Sequence, residues 1–261
     1  MPRAVFVRLS SFMLIVAGTF GTAYGIGSKL PGNPESKPHT HGPVAPSPVP
    51  PGFEVDGYVL VNAQSQPTPS AATFFIKGPD GQRVTDFTEA QGAKLHVVLI
   101  RFDVSGFEHL VPDIAADGTF VVPLGEGKWH IIIDAQPAGT AAPIVLTTSI
   151  DDEVPIEEVA LPAPNDTVTV DDLVVTRNGL DFAVTSTDGS PAEGLEPYLG
   201  QPAHLFAIRQ GDLAYTHLHP ADSTDATYSF TGVLPAGTYR LFLQFGYQGD
   251  VVTTAFTVVQ P

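Results

Sequence analysis

Residues 92–112, GAKLHVVLIRFDVSGFEHLVP, and residues 200–220, GQPAHLFAIRQGDLAYTHLHP, are one stretch written twice. Each holds two β-type runs around a turn. A histidine pair 13 residues apart recurs in both, His96 with His109 and His204 with His217. Working outward, residues 74–120 lie on residues 182–228 at a constant offset of 108 without a gap, and twelve of those 47 positions are identical. Self-similarity at a fixed period marks one domain type used twice. What both copies share is scaffold; what only one copy has is where function can differ.

The copies read as short strands. The first offers runs at 57–62, 73–77, 94–102, 118–123, 128–134 and 144–149. The second offers 167–176, 180–185, 203–209, 213–218, 227–231, 238–245 and 251–258. Pro79-Asp80-Gly81, Asn178-Gly179, Asp188-Gly189 and Pro235-Ala236-Gly237 supply turns between them. No stretch after the leader has a helical apolar period. The expected fold is therefore all-β, two tandem immunoglobulin-like or cupredoxin-like β-sandwiches. They are assigned to residues 55–163 and 164–261, with Leu161-Pro162-Ala163-Pro164 at the joint.

Ahead of them, residues 9–26 carry no charge and follow Arg3 and Arg8. At ~1.5 Å per residue such a run nearly spans a hydrocarbon core of ~30 Å. It reads as an N-terminal transmembrane signal anchor. Residues 1–8 are then cytoplasmic and the bulk of the chain is extracytoplasmic at the cell membrane. Ala23-Tyr24-Gly25 offers a cleavage site as the competing reading. Residues 27–54, rich in Pro, Gly and Ser, read as an extended linker.

The formal net charge is −16. All 28 acidic residues follow residue 27, and a field of that sign argues against nucleic acid as a partner. The chain has no cysteine, so each sandwich relies on its core, and thiolate chemistry, including Cys-ligated copper, is excluded. There is no Gly-x-Ser-x-Gly elbow and no phosphate-cradling loop, so no enzyme activity is expected.

Histidine is what a sandwich does not explain. Pairing the runs 203–209 and 213–218 around Gln210-Gly211 sets His204 opposite His217; moving the turn by one sets it opposite His219. Either register puts His204, His217 and His219 on one face, because side chains alternate with period 2. Cross-strand Cβ atoms ~4.5–5.5 Å apart let imidazoles converge on a metal. These three are the candidate ligands, with Asp212 or Asp222 as a candidate fourth. Imidazole-only ligation suits Cu(II) before Zn(II), and it should weaken below about pH 6. In the first copy His96 and His109 form a weaker candidate pair, since Val111 stands where the third histidine would be. A His-x-His at His39 and His41 lies in the linker, and His130 is expected on an exposed face. The competing reading has every histidine packing structurally in an envelope interaction or spacer protein.

The segments GQPAHLFAIRQGDLAYTHLHP and LPAGTYRLFLQF, with LHVVLIRFDVSGFEHLVP earlier, resemble a group of actinobacterial exported or membrane-anchored proteins of unassigned function. The resemblance spans roughly residues 55–261. More remotely, the units are similar to exported β-sandwich modules of the YtkA and CopC type, some of them linked to copper. The resemblance implies an N-terminal anchor followed by tandem β-sandwich units, and the remoter likeness adds copper handling as an analogy; a metal ion and other envelope proteins are the expected partners.

Overall fold

The computed structural model describes residues 52–63, 70–151, 153–154, 157–224 and 226–261, which fall within one compact unit. The anchor at 9–26, the cytoplasmic residues 1–8 and nearly all of the linker, with His39 and His41, lie outside the described residues.

In the first copy the strands are β1 (Glu54–Val55), β2 (Tyr58–Asn62), β3 (Ala71–Lys77), β4 (Phe87–Thr88), β5 (Leu95–Arg101), β6 (Phe107–Leu110), β7 (Phe120–Pro123), β8 (Lys128–Pro137) and β9 (Ile144–Asp151). The second continues with β10 (Thr167–Val170), β11 (Leu173–Asn178), β12 (Asp181–Ser186), β13 (Leu195–Glu196), β14 (His204–Arg209), β15 (Tyr215–Leu218), β16 (Pro220–Thr224), β17 (Thr227–Phe230), β18 (Gly237–Tyr247) and β19 (Asp250–Gln260). The described residues are all-β and every ladder is antiparallel. The sequence-expected strand at 167–176 is a hairpin, β10 and β11, because Asp171 turns the chain at a positive φ of 51°.

Each copy has two facing sheets. In the first, β1-β2-β3-β7 faces β4-β8-β5-β6, with β9 added on β8. In the second, β10-β11-β12-β17-β16 faces β13-β18-β14-β15, with β19 on β18. Phe74, Leu99, Phe120 and Ile131 fill the first core; Phe182, Leu205, Leu241 and Phe256 fill the second.

The two sheets of a copy differ in a way that positions the site. Strands such as β3 alternate buried and half-exposed residues, as expected where one face is wet. Strands β5 (LHVVLIR) and β14 (HLFAIR) are buried at every position but the last. Both of their faces are covered. Leu95, Val97 and Leu99 point into their own core, while Val98, Ile100 and Ile132 meet Phe206, Ile208, Tyr215 and Phe242 of the second copy in a third apolar cluster. Phe107 stacks on Phe242 at 4.1 Å between ring centroids. The histidine-bearing faces of the two copies are therefore packed against each other.

Candidate metal centre

The hairpin β14–β15 has the shifted of the two anticipated registers, with a longer loop than the two-residue turn expected. Arg209 N–H donates to Ala214 O, so residues 210–213 form the loop, and Phe206 pairs with His217. That register brings His204 into line with His219. Arg209 holds Asp212 through Nε–H donating to Oδ1 at 3.0 Å. In the first copy Val98 pairs with His109, so His96 and His109 are diagonal neighbours and not directly opposed, a shift of two residues from the tight-turn expectation.

Alternation puts all three second-copy imidazoles on one face, and there they converge. His204 Nδ1 lies 3.0 Å from His217 Nε2 and 3.0 Å from His219 Nε2. The three nitrogens all fall within 4.8 Å of one another, and among the described residues they are the group of three or more able to hold a metal ion. A tetrahedral ion with bonds of ~2.0–2.1 Å holds its donors about 3.3 Å apart, so small shifts would complete the shell. Neither Asp212 nor Asp222 joins the group. His204 is fully buried, His217 nearly so, and His219 is half-buried, which opens one side of the centre to solvent.

Hydrogen bonds fix which nitrogens are free. His204 Nε2 lies 2.8 Å from Tyr198 O, and a carbonyl only accepts, so Nε2 carries the proton and Nδ1 keeps its lone pair. His96 repeats this with Ala90 O at 3.2 Å, again six residues upstream. His96 Nδ1 faces His109 Nε2 at 3.0 Å, the counterpart of the His204–His217 contact.

Each copy also reaches into the other. Across their ladders, Asp134 of β8 pairs with His96 and Gln244 of β18 pairs with His204, so the two occupy equivalent places. Gln244 Oε1 accepts from His109 Nδ1–H at 2.9 Å. Asp134 Oδ2 stands 3.5 Å from His217 Nδ1, long for a hydrogen bond, and also receives the Tyr215 hydroxyl at 3.4 Å. The first copy thus aims a carboxyl at a second-copy imidazole, and the second copy returns an amide. A carboxylate that hydrogen-bonds a ligating histidine orients it, and a small shift of Asp134 would make that bond to His217.

Electrostatics keep the rings neutral, the form that ligates metal. Burial is the main cause throughout. It pushes His204 and His219 down to about 4 and His109 down to about 3. His96 is lowered as well, and His217 lies well below the ordinary range, with the other imidazoles adding to the effect. Burial therefore moves protonation of these rings below the ordinary imidazole range on which the pH 6 expectation rested. Burial also raises Asp134 to about 7.

His130 corrects another expectation. It is buried, not exposed, because it sits on the covered face of β8, with Phe102 edge-on at 5.9 Å and Ser149 Oγ 3.2 Å from Nδ1. Sequence reasoning missed Asp134 and Gln244. Their signal was a single polar residue inside an otherwise apolar strand, in HIIIDA and RLFLQF.

Residues 165–260 match the family model described as "Domain of unknown function (DUF8832)". No curated protein matches the chain. Among solved structures, one described as "Biofilm associated protein - BSP domain" is similar at 20% identity, covering 73% of this chain and 27% of its own, with a TM-score of 0.19. This chain spans little more than a quarter of that protein's length.

Proposed function

We propose that the second copy binds a borderline divalent cation, Cu(II) before Zn(II), through His204 Nδ1, His217 Nε2 and His219 Nε2. The protein is a non-catalytic, membrane-anchored β-sandwich protein of two immunoglobulin-like units, and its role is to sequester or deliver that ion at the cell envelope. The observation that carries the reading is the placement of His204 Nδ1, 3.0 Å from two other imidazole nitrogens while Nε2 is held by Tyr198 O. Cu(II) is preferred because it stands highest in the affinity order for nitrogen sites. The resemblance to exported copper-linked modules points the same way, as analogy.

A second reading rests on a separate observation. His217 stacks on Phe206 at 4.3 Å, and the rings line an apolar junction. In that reading the histidines are neutral packing groups of an envelope spacer. Calorimetric titration of the purified chain with Cu(II) and Zn(II), beside His217→Ala, separates the two. Heat with wild type that His217→Ala abolishes supports metal binding. No heat with either protein leaves the spacer.

A further inference from the structure

On the sides away from their junction, the two sandwiches turn unlike faces outward. In the first, Val59 and Val61 of β2, Thr73 and Phe75 of β3 and Val121 of β7 alternate with the core residues Leu60, Phe74 and Phe120. They therefore share the outer face of the sheet β1-β2-β3-β7. Four of them are half-buried and Val121 is 54% exposed. The offset of 108 puts Asp181, Ala183 and Ser229 of the second copy at the places of Thr73, Phe75 and Val121. Its ladder likewise puts Val174 and Thr176 at the places of Val59 and Val61.

One sheet surface is thus apolar in one copy and polar in the other. The second copy folds with Thr, Ala and Ser where the first has Val61, Phe75 and Val121, so the sandwich itself does not require the apolar set. An antiparallel sheet with a wet face ordinarily presents polar residues there, and a contiguous apolar patch marks an interaction surface. The molecule also shows what covers such a face. On the opposite side of the same sandwich, Val98, Ile100 and Ile132 are packed by Phe206, Ile208 and Phe242 of a homologous unit, sheet face on sheet face.

We infer that this outer face of the first sandwich pairs with the same face of another molecule of this chain, giving a two-fold dimer. The inference does not rest on the metal reading. The outer face of the second sandwich is no mate for it, because burying Asp181 there would strand a carboxylate. The apolar face is its own complement, and an isologous contact closes at two chains. Charge agrees. The chain carries −16 overall, which sets two molecules in repulsion, yet the residues flanking Val59 in one row of this face are Glu54 and Lys77, one of each sign. A two-fold pairing along that row joins Glu54 of each molecule to Lys77 of the other. Arg83 lies over the Phe75 ring at 4.2 Å with its charge met by Asp117. Four strands at ~4.8 Å spacing and seven residues at ~3.4 Å rise make a face of roughly 20 by 24 Å. Two such faces bury about 1,000 Å², the low end for a specific interface, so the dimer is reversible.

The test is sedimentation equilibrium of the full chain in a mild detergent over a wide range of concentration. Beside it runs the combined variant Val61→Thr, Phe75→Ala and Val121→Ser, which writes the second copy's residues into the first. Wild type should approach two chains per particle on concentration and return to one on dilution. The variant should stay at one chain, with a thermal melt that shows it still folds. The chain has no cysteine, so Val121→Cys supplies a single thiol on the face and Ser229→Cys supplies one at the same place in the second copy. A bismaleimide long enough to cross the face should link chains through Val121→Cys and not through Ser229→Cys. Wild type that is monomeric at every concentration overturns the pairing and leaves a different protein or a lipid surface as the occupant. A dimer that persists in the combined variant, or equal linkage through Ser229→Cys, places the contact elsewhere and overturns it as well.

Discussion

The two histidine pairs of this protein are built alike and equipped differently. His96–His109 and His204–His217 share a 3.0 Å contact and a carbonyl six residues upstream, and each lies beside a polar side chain of the opposite copy. The second pair adds His219 where the first has Val111, and receives Asp134 where the first receives Gln244. Three nitrogens and an ionisable acceptor make a stronger ligand set than two nitrogens and an amide. The difference teaches that duplication preserved the geometry of a pair, while the capacity of each position is set by one residue on β15 or its equivalent and one across the junction.

Removing the shared element should have the largest effect. His204→Ala deletes the nitrogen that both His217 and His219 face. Cu(II) affinity of the second position should fall by roughly a hundredfold or more, above what loss of an orienting partner costs. Calorimetry checks this. An unchanged high-affinity phase would mean that the second position is not where the ion sits.

Next comes the acceptor. Asp134→Asn makes the second position resemble the first, leaving a neutral oxygen beside His217 Nδ1. Affinity should drop by about 10–100-fold, the range found when such acceptors are removed. Because Asp134 is on the first copy, this loss would also show that the second-copy site depends on the junction. A competition titration against a chelator of known strength measures it.

The reverse change raises the weaker position. Val111→His supplies the missing third imidazole at a residue that is 43% exposed, so the fold should tolerate it. Affinity of the first position should rise by about tenfold or more, a third donor being the usual complement of an open imidazole site. A first position that stays weak would place the deficit in Gln244 and not in Val111.

The fold and the ligand trio were legible because both depend on local periodicity. Alternation alone sets His204, His217 and His219 on one face, whichever register forms, and the repeat identifies the hairpin. Register was not fixed, since a four-residue loop at 210–213 and a two-residue turn suit the same segment. The junction was harder still. Continuous burial of LHVVLIR and HLFAIR says that both faces are covered, but not by what. Only the packing of one copy on the other brings Asp134 to His217 and Gln244 to His109, across 83 and 135 residues. The same burial explains His130, which a strand read in isolation would leave exposed.

The smallest effect expected near neutrality is on pH dependence, and it separates the positions cleanly. Three ordinary imidazoles with pKa near 6.5 would each be about 3% neutral at pH 5, and affinity would collapse. Here burial holds His204 and His219 near 4 and His109 near 3, so the rings stay neutral well below pH 6. His109 should then contribute almost no pH dependence to the first position between pH 7 and pH 5. The second should carry a shallow slope from Asp134, whose carboxyl is raised to about 7 by burial. A cation on His217 favours the carboxylate, so binding releases that proton below pH 7. Affinity should fall with acid by at most about tenfold per pH unit, the limit for one proton. Asp134→Asn should remove that slope between pH 7 and about pH 5, above the range where His204 and His219 titrate. A slope that survives the substitution would assign the proton to an imidazole, and burial would not be holding these rings neutral over that range.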